Sequence, residues 1–184
     1  MTPISSSHHL RRWLSGLVES SFNVEIGLCD PSLVEYLVGL LTDFIHVQRI
    51  NLVQDGSGRS VEAVAEMLSA TRFQHPAASV QRRLTVHRHI GDFTLFWTGV
   101  YPEQLRRMRR RHERDALLSY QEQGKRAYAI ASELSSDETE PPAAVLRRLS
   151  DQFEHCVYGL GLVRKSWEQA DPAGFGAVNR AWLQ

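Results

Sequence analysis

VQRRLTVHRHIGDFTLFWTGVYPE, from Val80 to Glu103, is the segment that decides the fold. Apolar residues recur along it at steps of three and four, and its second half is apolar on almost every side. A helix of this kind is normally buried at the centre of a bundle. Pro102 cannot continue the helical hydrogen bonds, so we expect this helix to end near Tyr101.

A single acid, Asp92, interrupts the apolar half of this segment. A buried carboxylate needs a hydrogen-bonding partner or a raised pKa. Arg88 and His89 precede Asp92 by about one helical turn and lie on neighbouring positions of one face. Two interpretations stay open. In the first, His87, His89 and Asp92 bind a ligand or move a proton. In the second, Asp92 is a structural carboxylate, which is the commoner role of buried charges.

Length and composition indicate one globular domain. The chain has 184 residues, of which 42% are hydrophobic and 23% are charged, and its net charge of zero favours no class of partner. It contains neither the ~18 consecutive apolar residues of a membrane span nor a secretory signal pattern. Cys29 and Cys156 form no CxxC pair, so we expect a cytoplasmic location, although a disulfide between the two stays open.

The rest of the chain is also mainly helical in its pattern. Alternating apolar and polar residues from Phe22 to Leu28 instead predict an extended connector. We therefore predict an all-α, single-domain bundle of about six helices over residues 1–170, with the central buried helix near residues 77–100 and a docked tail over residues 171–184. The other segments with helical periodicity are His8 to Glu19, Ser32 to Val53, Val61 to Thr71, Leu117 to Leu134, and a last long helix that includes Leu146 to Trp167.

A pair of residues on the second predicted helix has the spacing of a metal-binding element. Asp43 and His46 stand at i and i+3, as in the Glu-x-x-His element of di-iron bundles. Such a site needs a second copy of the element and two further carboxylates, and the sequence contains no second copy. A metal or small ligand held between Asp43 with His46 and His89 with Asp92 remains one hypothesis.

The run RRMRRRHER, from Arg106 to Arg114, is the most basic part of the chain. A helical face with these arginines can bind phosphates of nucleic acid or another anion. A solvated surface is the alternative, which the neutral chain and the absence of a nucleic-acid module or interleaved aromatic residues favour. The candidate anion-binding residues are Arg106, Arg107, Arg110 and Arg111.

Three segments resemble a family of uncharacterised bacterial all-helical proteins. They are YLVGLLTDF from Tyr36 to Phe44, HIGDFTLFWTGVYPE from His89 to Glu103, and GKRAY from Gly124 to Tyr128. The shared features are a Gly-Asp-x-x-Leu-Phe-x-x-Gly pattern and a later Gly-x-x-Ala-Tyr. The resemblance covers about residues 30 to 165 and implies an all-helical fold, without an established activity, cofactor or catalytic residue.

The sequence contains no catalytic motif that we can identify. It has neither a Gly-x-Ser-x-Gly elbow nor a His-Glu-x-x-His element. We therefore expect a non-catalytic bacterial helical domain that acts through protein partners or as a homodimer. The alternatives are a bundle that binds a metal or small ligand through the Asp43/His46 and His89/Asp92 pairs, and nucleic-acid binding through Arg106 to Arg114. The sequence indicates no cofactor.

Overall fold

The computed structural model describes residues 6–45, 64, 67, 80–103, 105, 119–136 and 138–181. Over these residues the secondary structure is helical, without a strand, and the helices pack into a single bundle. The predicted all-α class is therefore confirmed. The described α-helices are α1 (Ser6–Glu19), α2 (Pro31–Ile45), α3 (Val80–Gly99), α4 (Tyr120–Leu134), α5 (Ala143–Asp151), α6 (Phe153–Ala170) and α7 (Pro172–Ala181).

A π-helical segment, Ser20–Ile26, directly follows α1. The prediction of an extended connector here was wrong. The alternation of apolar residues resembled a strand, but Phe22 is fully buried while Val24 is 79% exposed, so these side chains do not share one face. The segment ends at Gly27, whose φ of 77° lies in the left-handed region that glycine adopts without steric cost.

α2 begins where its sequence predicts. Asp30 Oδ1 accepts hydrogen bonds from the backbone N–H groups of Ser32 at 3.1 Å and Leu33 at 3.2 Å, and Pro31 is the first helical residue. Arg148 of α5 forms an ion pair with the same aspartate. The N-terminus of α2 is thus held against α5, and its position helps to shape the site described below.

The two predicted helices between residues 46 and 79 lie mostly outside the described residues. α2 is described as far as Ile45, whereas the prediction extended it to Val53. Of the predicted helix from Val61 to Thr71, only Val64 and Met67 are described; both are helical and fully buried.

α3 is the central helix that the sequence predicted. Every residue from 89 to 97 is buried, and the helix ends at Gly99, just before the expected end. Phe96 stacks on Phe44 of α2 with ring centroids 4.6 Å apart. α3 has its most extensive contact with α4, so these two helices form the middle of the bundle.

The last long helix of the prediction is divided into two. Gln152, with φ −114° and ψ 25°, separates α5 from α6. The periodic pattern does not reveal the break, because Leu149 before it and Phe153 and Cys156 after it are all fully buried. A kink that keeps the apolar row facing the core leaves the sequence periodicity intact.

The predicted tail is helical over α7. Phe175 is only 4% exposed, and its ring stacks on Tyr101 with centroids 5.7 Å apart. This contact joins the segment to the residues just after α3.

The structure answers whether the two cysteines form a disulfide and whether a described helix could cross a membrane. Cys29 is exposed and Cys156 is buried, and both are free thiols, so the disulfide that the sequence left open is not formed. Among the described helices, none is both long enough and apolar enough to cross a membrane.

Candidate functional site

Asp92 lies in the middle of α3 and accepts hydrogen bonds from two tyrosines of neighbouring helices. Its Oδ1 atom is 2.5 Å from the hydroxyl of Tyr36 on α2 and 2.8 Å from the hydroxyl of Tyr128 on α4. Asp92 is 7% exposed and Tyr128 is fully buried. One carboxylate oxygen therefore joins three helices, and the expectation that Asp92 is buried and bonded agrees with the structure.

Both phenols are kept protonated by their surroundings. Burial first, and then the negative charge of Asp92, raise the pKa of Tyr36 well above its ordinary value. The same two causes, in the same order, raise the pKa of Tyr128. Each hydroxyl therefore acts as a hydrogen-bond donor to the carboxylate at any physiological pH.

Two glycines allow α3 and α4 to approach closely at this point. A Cβ atom on Gly91 would lie 2.7 Å from the ring of Tyr128, and one on Gly124 would lie 2.4 Å from Thr94 Oγ1. Gly91, Asp92, Gly124 and Tyr128 all belong to the Gly-Asp-x-x-Leu-Phe-x-x-Gly and Gly-x-x-Ala-Tyr patterns of the sequence. In this protein those residues form the contact between the two central helices.

A cavity of about 520 Å³ opens beside Asp92. It lies between α1, α2, α3, α5 and the loop that precedes α5. Its lining combines charged groups with apolar ones. The described lining residues are Arg11, Ser32, Glu35, Tyr36, Gly39, Leu40, Asp43, Arg88, Asp92, Glu140, Pro141, Pro142 and Val145.

The cavity contains some, but not all, of the residues that the sequence singled out. Asp43 and Asp92, from two separately noted patterns, both line it, and Arg88 lies on its wall one turn before Asp92. His89 does not line it: its ring stacks on Phe44 with centroids 6.5 Å apart. The structure thus brings the two aspartates together and directs this histidine into the core.

His87 is also buried, at 7% exposure, and lies outside the cavity lining. Its Nδ1 atom has no hydrogen-bond partner among the described residues. Burial first, and then the positive charges of Arg83 and Arg126, lower the pKa of His87. The folded protein therefore holds this imidazole neutral.

A pH dependence of stability follows from His87. The unfolded chain protonates this residue near its ordinary pKa of about 6.5, whereas the folded protein resists protonation until lower pH. Its contribution to stability is complete above about pH 6.5 and is lost as the pH falls toward the lowered pKa of the folded state. We expect the urea-derived free energy of unfolding to fall less between about pH 7.5 and pH 5 in His87→Gln than in the parent protein.

The control for this measurement is His155→Gln, because His155 is exposed on α6. This variant should retain the pH dependence of the parent. An identical pH profile in His87→Gln and the parent would show that His87 is not held neutral by the fold.

Two sequence hypotheses fall largely on residues that are not described. His46, the partner proposed for Asp43, lies outside the described residues, as does the run from Arg106 to Arg114. Among the residues that the structure does describe, no group of three or more histidines, cysteines, aspartates or glutamates could hold a metal ion. The metal and nucleic-acid hypotheses therefore stay predictions, as does binding of a protein partner.

Sequence reasoning missed the two tyrosines that bind Asp92. Tyr36 and Tyr128 stand 56 and 36 residues away from it, and sequence reasoning assigned neither of them a role beside Asp92. The signal available in the sequence was the tyrosine hydroxyl, because a buried tyrosine hydroxyl usually has a hydrogen-bond partner. From a buried acid and two tyrosines on other buried helix faces, the sequence could have predicted hydrogen bonds between the carboxylate and the two hydroxyls.

Comparison of the chain with protein-family models, with curated proteins and with solved structures gave no match.

Proposed function

We propose that this protein binds a small polar molecule in the cavity beside Asp92. The observation that carries the proposal is the position of the Tyr36–Asp92 hydrogen bond, which forms part of the cavity wall and does not lie sealed in the core. A purely structural carboxylate has no need of an adjoining space of about 520 Å³. Ligand sites in helical bundles have this size and combine apolar walls with a few fixed polar groups.

The polar groups of this cavity are held in place by their own contacts. Tyr128, which is fully buried, donates a hydrogen bond to Asp92, and Tyr36 packs edge-on against Tyr128 with centroids 6.4 Å apart. Groups held in this way lose little conformational entropy when a ligand binds. This supports binding, and we do not extend the proposal to catalysis.

Filling the cavity tests the proposal. Gly39 lies on its wall, and a Cβ atom added there would meet nothing within 4 Å. Gly39→Leu should therefore occupy the cavity and leave the fold intact. The parent protein is screened by thermal denaturation with a set of amino acids, amines, sugars and nucleosides. A compound at about 100 times its Kd adds about 2.7 kcal/mol to the free energy of unfolding, and Gly39→Leu should abolish this gain.

The matched control is Gly16→Leu, the same change on the exposed face of α1, where a Cβ would also meet nothing. This variant should respond to the compound as the parent does. If no compound in the set stabilises the parent, or if Gly39→Leu responds as strongly as Gly16→Leu, the cavity is not a binding site.

A further inference from the structure

The charges around the cavity differ in whether they already have partners. Arg11 and Glu35 form an ion pair with each other, and Asp92 is held by two tyrosines. Arg88 and Glu140 both line the cavity, the first half-buried and the second exposed. Neither of these two has a hydrogen bond or ion pair to any residue that the structure describes. One positive and one negative group are thus available.

We infer that the ligand is a small zwitterion whose carboxylate binds Arg88 and whose ammonium group faces Glu140. This inference rests on the proposed function. A half-buried guanidinium has lost part of its hydration. A carboxylate compensates for that loss by accepting two parallel hydrogen bonds. Arg88 is placed for this by α3, which positions it one turn before Asp92 on the same wall.

Ligands with a single charge fit the cavity less well. Carboxylates outnumber guanidinium groups among the described lining residues, with Glu35, Asp43, Asp92 and Glu140 against Arg11 and Arg88. A simple anion would be repelled by this excess of negative charge. A simple cation would leave the Arg88 guanidinium without a partner and close to a like charge. A molecule that carries both charges provides a partner for Arg88 and for Glu140.

The remaining walls suggest an apolar body between the two charged ends. Leu40, Pro141 and Val145 line the cavity beside the polar groups. A cavity of about 520 Å³ also exceeds what a carboxylate and an ammonium group need by themselves. The class of ligand that combines these features is an α-amino acid or a molecule of similar build.

The experiment uses the full chain and the twenty common L-amino acids as probes, first by thermal denaturation and then by calorimetry. The amino acid that binds most tightly is compared with its decarboxylated amine and with its deaminated carboxylic acid. Loss of a charge-assisted hydrogen bond weakens binding by about 10- to 100-fold. We expect a loss of that order for the amine, which cannot bind Arg88, and a smaller one for the carboxylic acid, because Glu140 is exposed.

Substitutions show which side chain binds the carboxylate of the ligand and which binds its ammonium group. Arg88→Gln should weaken binding of the amino acid by about 10- to 100-fold and leave binding of the amine unchanged, while Glu140→Gln should affect the amino acid but not the carboxylic acid. Arg88→Lys, which keeps the charge without the planar fork, should give an intermediate affinity. Arg12→Gln, on the exposed side of α1, is the control and should change nothing.

The results separate this inference from the proposed function. If the amine binds as tightly as the amino acid, or if Arg88→Gln has no effect, the zwitterion is excluded. If only sugars or nucleosides bind, and Gly39→Leu blocks them, the cavity is a binding site but the class of ligand is wrong. If nothing binds, both proposals fall.

Discussion

Asp92→Ala is expected to lower the free energy of unfolding by about 1 to 3 kcal/mol, because a buried donor without its acceptor loses its hydration and gains nothing. The donor concerned is the hydroxyl of Tyr128, which is fully buried and 2.8 Å from the carboxylate. Tyr36 is affected less, since its half-buried side chain lines the cavity, where water can replace the lost acceptor. The corresponding fall in melting temperature is about 2 to 12 °C.

Three further variants identify the cause of that loss. Asp92→Asn keeps an acceptor oxygen and should cost less than Asp92→Ala. Tyr128→Phe removes only the donor and should cost about 1 kcal/mol, and Tyr36→Phe no more than that. An unchanged melting temperature in Asp92→Ala would contradict the burial of this carboxylate and its two hydrogen bonds.

Gly124→Ala is the second change with a large expected effect, a loss of about 1 to 3 kcal/mol from overpacking. The added Cβ would lie 2.4 Å from both Phe153 Cζ and Thr94 Oγ1. Neither neighbour can move freely. Phe153 is fully buried, and Thr94 Oγ1 donates to the carbonyl of Ile90 at 2.7 Å. The loss is expected even though alanine is the better helix former by about 1 kcal/mol. Urea unfolding at neutral pH measures it.

Gly39→Ala is the same substitution in a helix with open space around it. It should raise the free energy of unfolding by about 0.5 to 1 kcal/mol, because alanine loses less backbone entropy on folding. The two substitutions are therefore expected to have opposite signs. A gain in stability for Gly124→Ala as well would show that α3 and α4 are farther apart than the structure describes.

Local pattern was enough to predict most helices and the central place of α3. A segment that is apolar on almost every side, such as residues 89–97, can avoid water only at the centre of a bundle, so burial follows from sequence alone. The same logic predicted that Asp92 would be buried and would need a partner. The start of α2 was equally predictable, because the cap formed by Asp30 uses atoms within three residues.

Only the tertiary structure decided which groups meet Asp92. The sequence placed Arg88 and His89 beside it through helical spacing, whereas its Oδ1 atom binds hydroxyls from two other helices. The reason is geometric: spacing along a helix fixes which residues share a face, but not which residues of other helices stand opposite. The cavity has the same origin, because its volume depends on how five separate segments pack. The break at Gln152 likewise preserves the apolar pattern while changing the backbone, so periodicity could not reveal it. In the π-helical segment after α1, the alternation of apolar residues indicated the wrong backbone.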